Sequence, residues 1–217
     1  MIDLTEIDFY FITDSKLTKE SIISDVKNAI SAGCKVVQYR EKKKNIQEMI
    51  EEAKEIKDIC KEKAIFIIND FLDVALAVDA DGLHIGKDDI SYENARKLLG
   101  PKKIIGLTVH NAKEAVDAEI LGADYIGLAP IFKTKTKGDA IEPIGISELK
   151  LVRINVNIPI VALGGIKKEN IKDVISAGAD SIASISAVVS SDDVFCETKE
   201  FLKLIKESKK YDSIRKG

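Results

Sequence analysis

The segment Val36-Val37-Gln38-Tyr39-Arg40-Glu41-Lys42 passes from an apolar run straight into charge. Gln38, Arg40 and Lys42 are two residues apart, so an extended chain aims all three to one side. A cationic strand end suits a phosphate or pyrophosphate, to which Arg offers a bidentate fork and Lys a point charge. The plainer reading is a solvated loop in which Glu41 pairs with its basic neighbours. Because Arg40 follows directly on a buried run, the chemical reading is preferred.

The run Ile65-Phe66-Ile67-Ile68 leads into Asn69-Asp70, and Gly82-Leu83-His84-Ile85-Gly86 leads into Lys87-Asp88-Asp89. Two carboxylates, Asp70 and Asp89, together with a ligand phosphate make a plausible Mg²⁺ site, since this hard ion takes a few carboxylates, waters and phosphate oxygens. Either Asp could instead cap the helix that follows it, but capping does not account for the pair beside a cationic strand end. Farther on, residues 130–139 are rich in hydroxyl and ammonium groups, with Thr134, Thr136 and Lys137 among them. Such a loop can fold over an anion, or simply be exposed. Gly164-Gly165 and Ser184-Ile185-Ser186 each stand before a helix start, where glycine lets backbone N–H groups approach a phosphate, although Gly-Gly is also an ordinary turn. His84 and His110, the two histidines, are read as satisfied layer residues rather than as bases or ligands.

These groups need a scaffold that gathers strand ends. Apolar runs at 9–13, 35–39, 64–69, 82–85, 104–109, 125–129, 158–163 and 181–187 alternate with amphipathic stretches at 19–31, 45–60, 71–78, 92–99, 112–121, 146–154, 168–176 and 193–208. Eight βα units predict an α/β fold, a single-domain (β/α)8 barrel over 1–217, with 211–217 a polar tail. An open doubly wound sheet is the weaker alternative. Ala32-Gly33-Cys34, Ala80-Asp81-Gly82, Gly122-Ala123-Asp124 and Gly178-Ala179-Asp180 form a weak repeat, each lying between a helix and the next strand. In this architecture the carboxyl ends of the strands carry the active site.

Composition narrows the partners. Lys and Arg number 33 against 36 Asp and Glu, a balance that argues against nucleic acid. Cys34, Cys60 and Cys196 are widely spaced, which suggests buried free thiols and neither a disulfide framework nor a zinc site. The acidic N-terminal residues lack a signal peptide's basic flank, and no apolar run reaches spanning length, so a soluble cytoplasmic protein without a membrane partner is expected. The expected partners are phosphorylated small molecules, with a homo-oligomer left open.

With these residues in view, the sequence resembles the thiamine-phosphate synthase family along almost its whole length. The matching stretches are Phe11-Ile12-Thr13-Asp14, Gln38-Tyr39-Arg40-Glu41-Lys42, Ile68-Asn69-Asp70, Gly82-Leu83-His84-Ile85-Gly86 with Asp88-Asp89, and Gly122-Ala123-Asp124-Tyr125-Ile126-Gly127. Pro130-Ile131-Phe132 with Thr134, Thr136-Lys137 and Asp139 follows, then Gly164-Gly165-Ile166 and Ile185-Ser186-Ala187. The resemblance implies transfer of a hydroxymethylpyrimidine unit from its diphosphate to the ring nitrogen of hydroxyethylthiazole phosphate, giving thiamine phosphate and pyrophosphate with Mg²⁺. It implies that Asp70 and Asp89 hold Mg²⁺ and that Gln38, Arg40, Lys42, Asn69 and Lys137 surround the pyrimidine diphosphate. Thr134, Thr136, Gly165, Ile185 and Ser186 would receive the thiazole phosphate, largely through backbone N–H groups. The family's reaction is dissociative: the carbon–oxygen bond ionises first, and Arg40, Lys42 and Lys137 are the catalytic groups that stabilise the departing pyrophosphate.

The sequence departs from the family's usual pattern at Lys87 (commonly Gln), Thr108 (Ser), Ala129 (Gly), Lys133 (Pro) and Ser181 (Gly). Thr108 keeps a hydroxyl and stays among the expected substrate-binding residues, while Lys87 adds a cation beside the expected metal carboxylates. Two other functions remain in view: the thiazole tautomerase branch of the same superfamily, which has no need of the Arg40, Lys42, Asp70, Asp89 and Lys137 set, and a non-catalytic regulator that senses a phosphorylated metabolite.

Overall fold

The computed structural model describes residues 7–134 and 142–216, without the side chains of 212–216. Eight parallel strands run in the order β1 to β8: Tyr10–Ile12, Val36–Tyr39, Ile65–Asn69, Gly82–Ile85, Ile104–Val109, Tyr125–Leu128, Ile160–Leu163 and Ser181–Ala183. A parallel bridge between Phe9 and Ile182 joins the last strand to the first, closing the barrel and leaving no open edge. The helices α1 to α9 are Ile22–Ser31, Ile46–Cys60, Leu72–Ala77, Tyr92–Leu99, Ala112–Leu121, Gly145–Asn155, Ile171–Ser176, Ser186–Val189 and Val194–Lys216.

Alternation along the strands divides the core in two. Tyr10, Ile12, Val36, Ile65, Ile67, Tyr125, Val161 and Ala183 form one buried cluster, the lumen. Phe11, Val37, Tyr39, Phe66, Ile68, Leu83 and Ile85 belong to the other, between barrel and helices. Gln38 shares the lumen parity of Val36, as its spacing predicts. Helix α2 illustrates the outer layer: Asn45 and Glu48 cap its start reciprocally, and Met49, Ala53, Ile56 and Cys60 form its buried stripe.

The Ala/Gly-Asp repeat has a physical cause. Asp81, Asp124 and Asp180 each precede a strand, and each Oδ2 accepts the first free N–H of the preceding strand: Phe66, Ile105 and Ile160, all at 2.8 Å. Each carboxylate also pairs with a cation from a helix, Lys57, Arg96 and Arg153 respectively. The result is one clamp, built three times, at the amino end of the barrel. It leaves the opposite end free for chemistry.

Several expected boundaries shift. The eighth strand stops at Ala183 because the Ser184 hydroxyl turns to Ile166 O at 2.8 Å, and Ser186–Val189 coil into α8 instead of extending to 187. The seventh begins at Ile160, since the N–H groups of Asn157 and Ile158 go to the Glu119 carboxylate at 2.7 and 3.0 Å. A 3-10 turn, Lys168–Asn170, precedes α7. Helix α9 continues to Lys216, so the segment expected as a polar tail from 211 is helical that far. Among the described residues no helix is long and apolar enough to cross a membrane.

Candidate active site

Strand β2 delivers its cationic end into a frame of carboxylates. Arg40 Nη1 donates to Asp14 Oδ2 at 2.9 Å, and the Arg40 backbone N–H reaches the Thr13 hydroxyl at 2.9 Å. Glu41, only 1% exposed, accepts from the backbone N–H groups of Lys42 and Lys43, both at 2.7 Å, and from the Ser15 hydroxyl at 3.0 Å. Burial pushes its carboxyl up, but the Lys43 N–H, the Ser15 hydroxyl and the Lys42 N–H outweigh burial and hold it below the usual carboxylate value. Glu41 therefore organises the loop that carries Lys42, a tighter role than the surface ion pair considered above.

The Lys42 ammonium meets Asp70 Oδ2. Asp70 sits in the left-handed region at φ 67°, with its N–H bonded to His84 O at 2.8 Å, so β3 and β4 place it jointly. Asp89 Oδ2 accepts the Gly86 N–H at 2.7 Å. Burial raises the Asp89 carboxyl, opposed by the Gly86 N–H and reinforced by the neighbouring Asp70 carboxyl. Neither Asp caps a helix: the N-cap positions are Phe71, without a side-chain cap, and Ser91. Asn69, 8% exposed, ends β3 beside them.

Two carboxyls set against each other, with an ammonium already drawn to one, form a cation-seeking donor pair. Among the described residues no three His, Cys, Asp or Glu side chains group into a metal site. A hard divalent ion at Asp70 and Asp89 would therefore complete its shell with water and ligand oxygens, which is how Mg²⁺ is commonly held beside phosphates.

Across the mouth, Gly164 and Gly165 take positive φ values of 97° and 65°. A Cβ on Gly165 would lie 2.7 Å from Lys133 O, so glycine is needed for both conformation and approach. The N–H groups of Ile131 and Phe132 bond to Leu163 O and Gly164 O, both at 2.9 Å, tying the loop after β6 to the end of β7. Thr108, His110, Thr134, Gly165, Ile185 and Ser186 line the cavity here. The adjoining cavity, lined by Tyr10, Gln38, Arg40, Asn69, His84 and Tyr125, shares Leu163 and Ile185 with it. Arg40 and Lys42 line a third with Asp14. Shared residues, first Leu163 and Ile185 and then Arg40, join the three into one crescent, with Asp14, Arg40 and Lys42 at one end, Asp70 and Asp89 reached from it through Lys42, and glycine and hydroxyl groups toward β6 to β8 at the other.

Gln38, Arg40, Lys42, Asn69, Asp70, Asp89, Thr108, Thr134, Gly165, Ile185 and Ser186 are all placed at this mouth. Thr136 and Lys137 lie outside the described residues. The two histidines are satisfied as expected: His84 lies between Tyr125 OH and Thr108 Oγ1 at 2.9 and 2.8 Å, and His110 Nδ1 meets Glu114 at 2.9 Å. Lys87 and Lys133 are exposed, whereas Ser181 is buried and donates to Asp8 O at 3.1 Å across the closing seam. Sequence reasoning missed Asp14, Tyr10 and Tyr125 as site residues. Asp14 was detectable by the rule that found Asp70, a carboxylate directly after a strand. Burial pushes the Tyr10 and Tyr125 hydroxyls up, so both remain proton donors inside the barrel.

Comparison with known proteins agrees with this geometry. The sequence profile described as Thiamine monophosphate synthase matches residues 9–188. The chain is 60% identical over 206 residues to the thiamine-phosphate synthase of Methanosarcina mazei, covering 95% of this chain and 86% of that protein. It is 57% identical to the protein of that name from Methanosarcina barkeri, covering 95% and 94%. The solved thiamine phosphate pyrophosphorylase of Pyrococcus furiosus superposes with a TM-score of 0.87 at 38% identity, covering 94% of this chain and 98% of that one. The chain belongs to the thiamine monophosphate synthase family.

Proposed function

We propose that this protein is a thiamine-phosphate synthase that joins hydroxymethylpyrimidine diphosphate to hydroxyethylthiazole phosphate, releasing pyrophosphate. The observation that carries the reading is the two-sided crescent: Arg40, Lys42, Asp70 and Asp89 gather on one side and Thr134, Gly165, Ile185 and Ser186 on the other, with Gln38, Asn69 and Thr108 between. A thiazole tautomerase would need only the second side. A pure sensor would have no evident use for a carboxylate pair beside the cations.

Arg40 and Lys42 face the diphosphate, and the family resemblance assigns Lys137, which lies outside the described residues, to the same group. As the carbon–oxygen bond breaks, its electron pair leaves with pyrophosphate and the methylene carbon becomes cationic. Electrostatic stabilisation of the leaving group by these cations lowers that barrier without a protein nucleophile. Asp70 and Asp89 would hold Mg²⁺, which would supply further positive charge to the leaving oxygens. Thr134, Gly165, Ile185 and Ser186 hold the thiazole phosphate, largely through backbone N–H groups, so that its ring nitrogen meets the carbon, and the family resemblance assigns Thr136, outside the described residues, to the same phosphate. Holding both reactants replaces a collision by an oriented encounter. The ring nitrogen gives its lone pair to the new bond, so no proton has to be removed. Small molecules are the expected partners, and the cytoplasm the expected setting.

The test mixes the purified protein with both substrates and Mg²⁺ and follows pyrophosphate release with thiamine phosphate formation. Product that disappears on adding EDTA is the expected result. Absence of product while thiazole phosphate still binds would overturn the reading.

A further inference from the structure

Four hydrogen bonds join five side chains across the lumen. Gln38 Nε2 donates to Tyr10 OH at 3.0 Å, Tyr10 and Tyr125 share a bond of 2.6 Å, Tyr125 OH meets His84 Nδ1 at 2.9 Å, and His84 Nε2 meets Thr108 Oγ1 at 2.8 Å. Gln38 and His84 are buried, and both tyrosines are 2% exposed. The strands are cut to seat the rings. A Cβ on Gly106 would fall 2.1 Å from Tyr125 Cζ, and one on Gly127 would fall 2.9 Å from His84 Cε1. The His84 and Tyr125 rings stack at 5.5 Å.

Proton counting gives the chain a direction. A buried donor left unused is costly, so each proton must serve one bond. Gln38 donates to Tyr10, and Tyr10 therefore spends its single proton on Tyr125. Tyr125 in turn donates to His84 Nδ1, which leaves the imidazole proton on Nε2, donated to Thr108. Thr108 then has its own proton free for the cavity it lines, while the Gln38 carbonyl oxygen is left as an acceptor for the adjoining one. The two ends are of opposite kind, and neither can reverse unless every bond between them reverses.

We propose that Tyr10, Tyr125 and His84 are positioning residues that lock Gln38 as an acceptor and Thr108 as a donor. The site thereby selects a flat heteroaromatic ring bearing an amino donor next to a ring-nitrogen acceptor and rejects its oxo counterpart, in which the two are exchanged. The proposal rests on the synthase reading, whose pyrimidine carries such an amino group, and adds the groups that choose it. A site committed to hydrogen bonding discriminates more strongly than shape alone, because the wrong ring leaves buried groups unpaired.

Tyr125→Phe keeps the ring and cuts the chain at its centre; Tyr10→Phe cuts it one bond earlier and carries the test should the first variant not fold. Each full-length variant is assayed with the aminopyrimidine diphosphate and with its oxo analogue, with inorganic pyrophosphate plus Mg²⁺ as a ringless competitor. The expected result is a preference for the amino substrate reduced by about tenfold or more, through a raised KM. Inhibition by pyrophosphate stays within about twofold of the parent, because the phosphate-facing groups are untouched. A preference unchanged in the folded variants, whatever happens to the thermal midpoint, reduces the chain to a structural feature and overturns the proposal. If the unmodified protein makes no thiamine phosphate, the synthase reading fails by itself. The chain is then judged by calorimetric binding of the amino and oxo hydroxymethylpyrimidines to the parent and Tyr125→Phe, where an unchanged affinity ratio overturns it.

Discussion

The Asp14 carboxylate holds the Arg40 guanidinium at 2.9 Å, with side-chain exposures of 6% and 13%. An arginine at a strand end has several rotamers, and this ion pair, nearly shielded from water, selects one before any ligand arrives. Asp14→Asn keeps the shape and a hydrogen-bonding oxygen but removes the charge. The expected outcome is a fall in kcat/KM for the pyrimidine diphosphate of roughly tenfold or more, with the KM for thiazole phosphate unchanged. Initial-rate kinetics against each substrate separately checks this. An equal effect on both substrates would count against a role confined to Arg40.

Glu41 predicts an acid limb in stability. Its folded carboxyl is held below its ordinary value of 4.5, so it contributes stability above that pH, lost as the pH falls through the lower folded value. The sign follows from linkage: below the unfolded value the unfolded chain binds the proton more readily than the native one. Glu41→Gln keeps an acceptor for the Lys42 and Lys43 N–H groups without the titration. Its thermal midpoint should lie below the parent's near neutral pH and approach it as the pH falls below Glu41's ordinary value and through the lower folded one. Parallel curves across that range would remove Glu41 as a source of the acid limb.

The barrel and most of its mouth were legible in the sequence because both follow from local patterns. Apolar runs of strand length alternate with helical stripes, and a charge after a buried run stands out at Arg40, Asp70 and Asp89. What escaped depends on contacts between distant segments. Tyr10 and Tyr125 look like ordinary core aromatics until the closed barrel brings them to 2.6 Å across 115 residues. The end of β8 was placed too late because Ser184-Ile185-Ser186-Ala187 is apolar enough to extend. Only the Ser184 bond to Ile166, 18 residues earlier, decides for a turn.

The repeated clamp at the amino end separates stability from chemistry. Removing Asp180 leaves the Ile160 N–H and the Arg153 guanidinium without the carboxylate that each meets at 2.8 and 2.9 Å. Asp180→Ala should cost about 1–3 kcal/mol, the usual penalty for a buried group left without its partner. Activity per folded molecule should stay at the parent's level, because the clamp lies at the opposite end of the strands from the crescent. Urea unfolding and specific activity measured on the same samples check both halves. A loss of activity without a loss of stability would contradict the separation.

Asp70 combines two demands that different substitutions pull apart. Its φ of 67° is a left-handed conformation that Asn tolerates and Ala resists, and its carboxylate belongs to the donor pair proposed for Mg²⁺. Asp70→Ala should abolish Mg²⁺-dependent turnover with the fold intact at modest cost, the cost coming from the backbone. Asp70→Asn should spare the backbone and still lose the metal-dependent rate, by about a hundredfold or more if charge on the leaving pyrophosphate is what the ion offsets. The discriminating measurement is turnover against Mg²⁺ concentration for the two variants beside their thermal midpoints. If Asp70→Asn keeps the parent's Mg²⁺ dependence while Asp70→Ala loses both midpoint and activity, the residue is a turn-former and the metal pair is wrong. If both lose turnover and only Asp70→Ala loses stability, the carboxylate acts on the cation and the strained backbone is the cost of placing it there.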